Sequence, residues 1–298
     1  MMRVLVFGKN GQLARALARN ADISESTSLK FIGSSTLDLS AQLSDIYNLI
    51  YNMSDIDAVI NAAAYTNLDN AETRDCEQAY ALNALAPEQM ARACKVKNIP
   101  FLHLSTDCVF DGDQRAPYQP NDNPNPVNFY GLSKLDGENF VRAVSGKNIV
   151  FRTSWVFSPG GQNFFGTMLK LGQNNPSIHV VDDQTGSPTY ADHLAAALLN
   201  ACTKMVQNEH IPLAPIYHIA STGAPISRYH FAKKILAMAG LETRVKPISS
   251  ASFGAAAQRP TFCALDCASF ERDFDYNLPK WQDGLKQAVK IYKASNEH

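Results

Sequence analysis

Tyr130 and Lys134 are the residues of this chain whose types and spacing best suit proton transfer. On a helix, residues four positions apart share one face. A free tyrosine titrates at about pH 10, and a neighbouring ammonium favours its phenolate. We therefore expect Lys134 to lower the pKa of Tyr130 and to make it a general acid or base. A solvated helix face is the alternative, because Y-x-x-x-K is a common spacing.

A second group of reactive side chains follows an apolar run upstream of this helix. The run at residues 101–104 leads into Ser105, Thr106 and Asp107. In a doubly wound sheet, the carboxyl ends of the strands line the ligand crevice. This placement predicts that Thr106 hydrogen-bonds both a substrate carbonyl and the Tyr130 hydroxyl. The threonine, the tyrosine and the lysine thus form one candidate catalytic set.

The chain begins with a short apolar run and a glycine turn suited to a phosphate group. Gly8, Asn10 and Gly11 belong to the sequence GKNGQLA, which reads G-x-x-G-x-x-A at a strand-to-helix junction. Gly8 permits the tight turn, Gly11 lets a pyrophosphate approach the backbone, and Ala14 lets the helix pack closely on the sheet. The free N–H groups at the helix start then bind phosphate. A structural turn without a ligand is the alternative.

The end of the second predicted strand bears on the choice of nicotinamide cofactor. A site selective for NAD usually has a carboxylate here for the ribose hydroxyls, whereas this chain reads Phe-Ile-Gly-Ser-Ser-Thr at residues 31–36. Ser34, Ser35 and Lys9 can donate to a 2′-phosphate. We therefore predict NADPH as the cofactor, with NADH also accepted. Asp38 follows shortly afterwards and weakens this preference.

Short apolar runs alternate with helical patterns through the first half of the chain. The runs are continuous, as expected for strands buried on both faces of a parallel sheet, and lie at residues 4–7, 29–32, 58–61, 100–104 and 149–152. The predicted helices span residues 11–20, 41–52, 75–97 and 129–145. This βαβα order predicts an α/β fold with a doubly wound parallel sheet of the Rossmann type. The proline-rich segment 111–128 is a predicted loop.

The pattern becomes irregular after residue 153 and indicates a second, smaller unit. Strand-like runs at residues 178–181 and 216–219 are mixed with helical patterns, which lie at residues 191–203, 229–239 and 281–294. We predict a dinucleotide-binding domain at residues 1–153, to which the chain returns near residues 187–218. A mainly substrate-binding α/β domain is predicted at residues 154–298.

Composition argues against several classes of function. The 298 residues are 45% hydrophobic with a formal net charge of −1, which gives no basic field for nucleic acid. No apolar run approaches the roughly 20 residues of a membrane span, and no signal peptide is recognisable, so we expect a cytoplasmic protein. The six cysteines match no zinc spacing. We expect reduced thiols, no metal site, and a monomer or homodimer.

Nine motifs narrow the function to one family. They run from the first predicted strand to the last predicted helix, and they are FGKNGQLA, VINAAAYTNLDNAE, LSTDCVFDG, NFYGLSKLDGE, RTSWVF, NFFGTMLKL, DDQTGSPT, QRPTFCALD and LPKWQDGLK. In these motifs the chain resembles the dTDP-4-dehydrorhamnose reductase family of extended short-chain dehydrogenases/reductases. The resemblance covers essentially the whole chain.

The resemblance implies NADPH-dependent reduction of the 4-keto group of dTDP-4-dehydro-L-rhamnose to dTDP-L-rhamnose. By similarity, hydride comes from the nicotinamide and the proton from Tyr130, while Lys134 tunes the tyrosine and holds the ribose and Thr106 orients the keto oxygen. The cofactor positions of the family fall on Gly11, Gln12, Leu13, Asp38, Leu39, Ala64, Tyr65, Thr66 and Leu104. Its substrate positions fall on Thr106, Asp107 and Trp155.

Two of the candidate substrate residues each have a structural alternative. Trp155 offers an apolar face to the 6-deoxy sugar or fills a domain junction. Arg259 suits a diphosphate or forms a structural salt bridge. The chain departs from the family at Cys108, where tyrosine is usual, and at Tyr65, where histidine is common. Some members of the family dimerise through carboxylates that share a magnesium ion, and one of these carboxylates is on the first helix. The first predicted helix of this chain has no acidic residue, so we expect neither this metal ion nor this dimer.

Other functions remain open at this point. Another nucleotide-sugar 4-ketoreductase, or an epimerase that retains its NAD, would use the same residues, and a purified epimerase would carry bound cofactor. A non-catalytic regulatory relative would be favoured by the loss of Tyr130 or Lys134, and both residues are present.

Overall fold

The computed structural model describes residues 1–24, 26–207 and 214–296. The strands are β1 (Met2–Phe7), β2 (Thr27–Ile32), β3 (Ala58–Asn61), β4 (Phe101–Thr106), β5 (Asn148–Thr153), β6 (Val156–Phe157), β7 (Ser177–Val181), β8 (Thr185–Gly186), β9 (Thr189–Tyr190), β10 (Ile216–His218), β11 (Ile226–Ser227) and β12 (Arg244–Ile248). The helices are α1 (Gln12–Ser24), α2 (Leu43–Asn52), α3 (Leu68–Thr73), α4 (Cys76–Tyr80), α5 (Ala86–Lys97), α6 (Phe129–Ala143), α7 (Phe164–Asn174), α8 (Ala191–Val206), α9 (Arg228–Ala239), α10 (Ser250–Phe253), α11 (Ala268–Phe274) and α12 (Trp281–Asn296).

Six strands form one parallel sheet in the order β10-β5-β4-β3-β1-β2. With helices on both faces, the sheet confirms the predicted α/β fold with a doubly wound parallel sheet. The chain passes from β1 to β2 on one side and later returns to β3 on the other side, so the strand order reverses between β1 and β3. Ligands of such sheets bind outside the carboxyl ends of the strands at this reversal.

Alternate residues of β1 face two separate hydrophobic layers. Val4 and Val6 pack with α1 and α8 on one face, and Leu5 and Phe7 pack with α2 and α5 on the other. The edge strand β2 differs, because only Ile32 of this strand is buried. The prediction that residues 29–32 are buried on both faces is therefore wrong. An edge strand lies beyond the helices that cover the centre of the sheet.

A separate apolar core lies in the C-terminal part of the chain. The helices α7, α9 and α12 contribute Phe165, Phe231 and Trp281 to it, and β7, which pairs in parallel with β12, adds Ile178 and Val180. In contrast, α8 packs on the large sheet and β10 pairs with β5. The division of the chain into domains near residue 153 stays a prediction.

The predicted helix at residues 75–97 is interrupted. A π-helical turn at Ala81–Leu85 lies between α4 and α5. Such turns insert one residue into a helix and frequently occur at functional sites. The segment 111–128 is a loop, as predicted, and a β-bridge from Tyr118 to Leu265 fastens it to the C-terminal part. No helix among the described residues is long and apolar enough to cross a membrane.

Candidate active site

The carboxyl ends of β1, β3 and β4 open into a cavity of about 1370 Å³. The cavity lies between the large sheet and the C-terminal elements, and its lining extends from the glycine turn after β1 to Arg259. This is the position that the reversal of strand order favours for a ligand. Polar residues that are far apart in the sequence therefore meet in one crevice.

The glycine turn after β1 forms one end of the cavity. Gly8 has a φ of 97°, and a Cβ atom at this position would lie 2.7 Å from the Ala63 nitrogen. Only glycine fits such a turn. The Gly11 nitrogen donates to the Gly8 oxygen at 2.8 Å, and α1 begins at the next residue. The first N–H groups of a helix have no partner within it, and Gln12 and Leu13 line the cavity at this helix end.

A buried asparagine fastens the loop that follows β3. Asn83 lies in the π-helical turn, and its Oδ1 atom accepts from the Tyr65 nitrogen at 2.9 Å. Its Nδ2 atom donates to the Tyr65 oxygen at 3.1 Å and to the Ser133 hydroxyl at 3.0 Å. Ala64 and Thr66, on either side of Tyr65, line the cavity. Asn83 thus ties this loop to α6, and no sequence motif singled it out.

Tyr130 lies in the first turn of α6 and is only 8% exposed. The turn is capped by Asn128, whose side chain accepts from the Gly131 nitrogen at 2.7 Å. Burial raises the pKa of Tyr130, with Cys108 adding to the rise, and a hydrogen bond with Thr106 only partly offsets it. The expectation that Tyr130 has a lowered pKa is therefore wrong in this structure. The phenol keeps its proton at neutral pH, which is the form that a proton donor needs.

Lys134 lies one turn further along α6 and is 1% exposed. Its Nζ atom donates to the Leu104 oxygen at 2.6 Å, at the end of β4. Burial lowers the pKa of Lys134 to about 8, and the charge of Glu138 acts in the opposite direction. The ammonium is thus held beside the cavity at a pKa close to neutral, and its bond to Leu104 explains why it does not act on the Tyr130 hydroxyl here.

A histidine on β4 faces this lysine. The Asn61 Oδ1 atom accepts from the Ala63 nitrogen at 3.0 Å, so the Asn61 Nδ2 atom points to the His103 Nδ1 atom at 3.1 Å. Nδ1 therefore accepts, and the ring hydrogen belongs on Nε2, which lies 3.4 Å from Lys134 Nζ. Burial and the lysine charge lower the pKa of His103. A neutral ring with its N–H toward the ammonium further disfavours the charged lysine.

A fully buried ion pair holds α6 against the sheet. Arg152 on β5 donates to both carboxylate oxygens of Glu138, at 2.9 Å from Nε and 2.6 Å from Nη2. The Ser105 hydroxyl donates to the same carboxylate at 2.5 Å, and Arg152 also donates to the Pro120 oxygen at 3.2 Å. Breaking such a pair by removing one partner costs about 3–5 kcal/mol. The pair therefore fixes the helix that carries the tyrosine and the lysine.

Asp107 and Trp155 line the cavity together with Thr106. The Asp107 carboxylate accepts from the Thr106 hydroxyl at 3.0 Å and from the Ser154 hydroxyl at 2.8 Å. Trp155 has a φ of 44°, a rare value for a residue other than glycine. The guanidinium carbon of Arg228 lies 3.5 Å from the centre of its ring. Arg228 therefore covers part of the apolar surface that the sequence analysis assigned to a sugar.

Arg259 forms a salt bridge at the far side of the cavity. Its two terminal nitrogens donate to the Asp69 carboxylate at 2.7 and 2.8 Å, and the pair lowers the pKa of Asp69 to about 2. It also donates to the Ala257 oxygen. The structural alternative considered for Arg259 is thus present, although the residue still lines the cavity.

The six cysteines are all free thiols, and two of them, Cys108 and Cys263, line the cavity. Burial raises the pKa of both thiols, which therefore stay protonated at neutral pH. Within residues 1–24, 26–207 and 214–296, no group of three or more His, Cys, Asp or Glu side chains is placed to hold a metal ion.

The structure brings most of the predicted site residues to the cavity. Those that line it are Asn10, Gly11, Gln12, Leu13, Ala64, Thr66, Leu104, Thr106, Asp107, Tyr130, Lys134, Trp155 and Arg259. Five others do not line it, and these are Gly8, Ser34, Asp38, Leu39 and Tyr65. Gly8 lies against the backbone that follows β3, and Leu39 is in the core. The Tyr65 hydroxyl donates a hydrogen bond to Asp75 at 2.5 Å. Ser34 and Asp38 are exposed beyond the end of β2.

Comparison with known proteins places this site in a family. The family model described as "RmlD substrate binding domain" matches residues 2–294. The chain is 35% identical over 292 residues to dTDP-4-dehydrorhamnose reductase of Sinorhizobium fredii, with 97% of both chains covered. It is 36% identical over 299 residues to the protein of the same name from Aggregatibacter actinomycetemcomitans, with 98% of this chain and 99% of that one covered.

Solved structures give the same result. The crystal structure of dTDP-4-dehydrorhamnose reductase from Bacillus anthracis in complex with NADP superimposes with a TM-score of 0.89 at 33% identity, covering 98% of this chain and 100% of that one. The fold, the near-complete coverage of both chains and the sequence identity all agree with the family that the motifs indicate. This chain belongs to the dTDP-4-dehydrorhamnose reductase family.

Proposed function

We propose that this protein reduces the 4-keto group of dTDP-4-dehydro-L-rhamnose with NADPH and releases dTDP-L-rhamnose. The observation that supports this most is the convergence of Tyr130, Thr106 and Lys134 on one cavity that is also lined by the glycine turn after β1. A carbonyl, a proton donor and a nicotinamide can meet only where these parts share one space. Relatives at 35% and 36% identity bear the name of this reductase.

The residues present fit an NADP cofactor. A Cβ atom at Gly8 would collide with the backbone of Ala62 and Ala63, so only glycine lets the turn lie this close to the end of β3. Gly11, Gln12 and Leu13 line the cavity where α1 begins, and the first N–H groups of a helix have no partner within it and can bind phosphate. Lys134 lines the same cavity, where it donates to the Leu104 oxygen. When bound, the cofactor supplies the hydride for reduction of the ketone. The proposed cofactor residues are those that line the cavity between the turn and the lysine.

In the proposed reaction, the protein supplies a proton and fixes the ketone. Tyr130 gives its phenolic proton to the oxygen that becomes the 4-hydroxyl, and burial keeps the phenol protonated at neutral pH before that step. The role proposed for the Thr106 hydroxyl is to donate to the same oxygen and hold it in place. Lys134 binds the nicotinamide ribose and restores the proton. Asp107 accepts a hydrogen bond from a sugar hydroxyl.

A second nucleotide-sugar ketoreductase or an epimerase is the main alternative function. Both would use the same tyrosine, so the reaction must be identified by its product. A regulatory role without catalysis ranks last, since Tyr130 and Lys134 are both buried against the cavity. The cytoplasmic location and the monomeric or homodimeric state remain predictions.

Turnover with product identification tests the proposed function. Purified protein with dTDP-4-dehydro-L-rhamnose and NADPH is expected to oxidise one NADPH per sugar and to yield dTDP-L-rhamnose, identified by NMR of the product sugar. The Tyr130→Phe variant is the matched control. A product with another configuration at C4, or turnover without added NADPH by a protein that carries bound NAD, would replace the proposal with one of the alternatives.

The preference between the two nicotinamide cofactors is a separate prediction. We expect kcat/KM to be about tenfold higher with NADPH than with NADH, because one hydrogen-bonded charge pair contributes about 1.5–3 kcal/mol. No carboxylate follows β2 directly, and Lys9 packs against Gly33 at this edge. Lys9→Gln should remove most of the preference, whereas Lys30→Gln, an exposed lysine on β2, should leave it unchanged. A preference for NADH in the parent protein would contradict the prediction.

A further inference from the structure

Arg228 is a cationic residue that lines the cavity, and no sequence motif assigned it a function. It is the first residue of α9 and follows the short strand β11, whose Ser227 caps the helix. Its guanidinium carbon lies 3.5 Å from the ring centre of Trp155 and 4.9 Å from that of Phe164. A guanidinium stacked on aromatic rings is held in one orientation. Arg228 is therefore a fixed group at the cavity wall.

The charge of Arg228 is not matched by an acid at close range. No carboxylate among the described residues lies within 4.0 Å of its nitrogens, whereas the guanidinium groups of Arg152 and Arg259 each have such a partner. The nearby carboxylate of Asp107 partly counteracts the lowering of the pKa of Arg228 from beyond 4.0 Å, and it accepts hydrogen bonds from two hydroxyl groups. Arg228 is partly buried, and a charge removed from water without an acid partner is costly in a folded protein. The arrangement becomes favourable when a ligand supplies the missing negative charge.

The surroundings of Arg228 indicate what kind of anion fits. Burial lowers the pKa of Arg228 to about 10, so the group is still cationic at neutral pH. The charge of Arg259 is near enough to lower that pKa further, so two guanidinium groups lie on one side of the cavity. Arg259 is paired with Asp69 but still lines this side, so Arg228 supplies the charge without an acid partner and Arg259 adds further N–H donors for a ligand with more than one negative charge. Arginine in particular matches the paired oxygens of phosphate groups.

We propose that Arg228 binds the diphosphate of the nucleotide-sugar substrate. This inference rests on the proposed function for the identity of the sugar, but it requires only that the ligand is a nucleoside diphosphate derivative. Trp155 and Phe164 hold the guanidinium, and the diphosphate bridges Arg228 toward Arg259. The sugar then extends from the diphosphate toward Asp107, Thr106 and Tyr130. In this arrangement Trp155 acts partly by positioning Arg228.

The test measures binding of thymidine, dTMP and dTDP to the NADPH-bound enzyme by calorimetry. Arg228→Met keeps an apolar chain over Trp155 but removes the charge, and it is expected to weaken dTDP binding about 10- to 100-fold, because hydrogen bonds to charged groups contribute about 1.5–3 kcal/mol. Thymidine binding should not change, and dTMP should be affected less than dTDP. Arg228→Lys should recover part of the loss. Arg244→Gln, at an exposed arginine of β12, is the control and should bind like the parent.

Kinetics separates this inference from the proposed function. With the dTDP-sugar, Arg228→Met should raise KM about as much as it weakens dTDP binding and should change kcat and the KM for NADPH little. If the parent does not reduce this sugar, the proposed function fails while the dTDP titrations still decide the role of Arg228. An equal loss for thymidine and dTDP, or no loss for dTDP, would overturn the inference.

Discussion

Tyr130→Phe is expected to lower kcat by about 10³-fold, because a positioned general acid typically contributes 10²- to 10⁴-fold. The affinity for NADPH should be essentially unchanged, since the phenylalanine ring fills the same buried space. The structure gives the reason for both effects. Tyr130 is enclosed at the cavity wall, its pKa is raised by burial, and Thr106 is its hydrogen-bond partner. Without the hydroxyl, the group that gives the proton in the proposed reaction is absent.

The measurements are steady-state turnover with the dTDP-sugar and a fluorescence titration with NADPH. Tyr217→Phe is the matched control, because this buried tyrosine lies outside the cavity and its hydroxyl donates to Asp273 at 2.9 Å and accepts from the Ala214 nitrogen at 2.9 Å. It should lose stability but keep its turnover number. Turnover of Tyr130→Phe within a few-fold of the parent would remove Tyr130 from the proposed role of proton donor.

The parts of the site that follow from local sequence were predictable. The strand end at Thr106 and the helix spacing of Tyr130 and Lys134 depend on periodicity, which a short window of sequence reveals. The glycine turn was predictable for the same reason, because Gly8 and Gly11 act through their own backbone. The continuous apolar runs likewise located the central strands of the large sheet, although they did not show that β2 is at its edge.

The parts that depend on tertiary contacts were not predictable. Arg228 reaches the cavity only because β11 pairs with β8 and turns α9 toward Trp155. Glu138 looks like a surface residue of an amphipathic helix until Arg152 from β5 is placed beside it. The pKa of Tyr130 was predicted in the wrong direction, because the Y-x-x-x-K spacing shows which side chains share a face but not how deeply they are buried.

One missed element had a readable signal. In α7, the buried residues Phe165, Met168, Leu169 and Gly172 follow the spacing of an amphipathic helix. Asn163 before it accepts from the Gly166 nitrogen at 3.0 Å, which is a usual helix cap. The helix was therefore available from the sequence. Its two glycines, Gly166 in the first turn and Gly172 in the last, lower the intrinsic helix preference of the segment and conceal the pattern.

Lys134→Met is expected to lower turnover by at least about 100-fold, at the lower end of the range for acid–base groups, without lowering the stability of the fold. The pKa of Lys134 falls from 10.5 to about 8 because the ammonium is buried. A difference of one pKa unit between the folded and the unfolded protein corresponds to about 1.4 kcal/mol, so the buried charge destabilises the folded protein by about 3 kcal/mol. Loss of the bond to the Leu104 oxygen costs about 1–3 kcal/mol and offsets this gain. The free energy of unfolding should therefore be equal to that of the parent or higher by up to about 2 kcal/mol.

The pH dependence of this stability difference gives a sharper test. Between pH 8 and 10.5 the unfolded parent holds more protons at Lys134 than the folded parent does, so the stability of the parent rises with pH in this window. The advantage of Lys134→Met should accordingly shrink as the pH is raised from 7 to 10 in urea titrations. The control Lys95→Met, at an exposed lysine of α5, should show neither the loss of turnover nor this dependence. A lysine kept for the fold alone would give the opposite result, a large loss of stability at neutral pH, so the sign of the change distinguishes a residue retained for catalysis from one retained for structure.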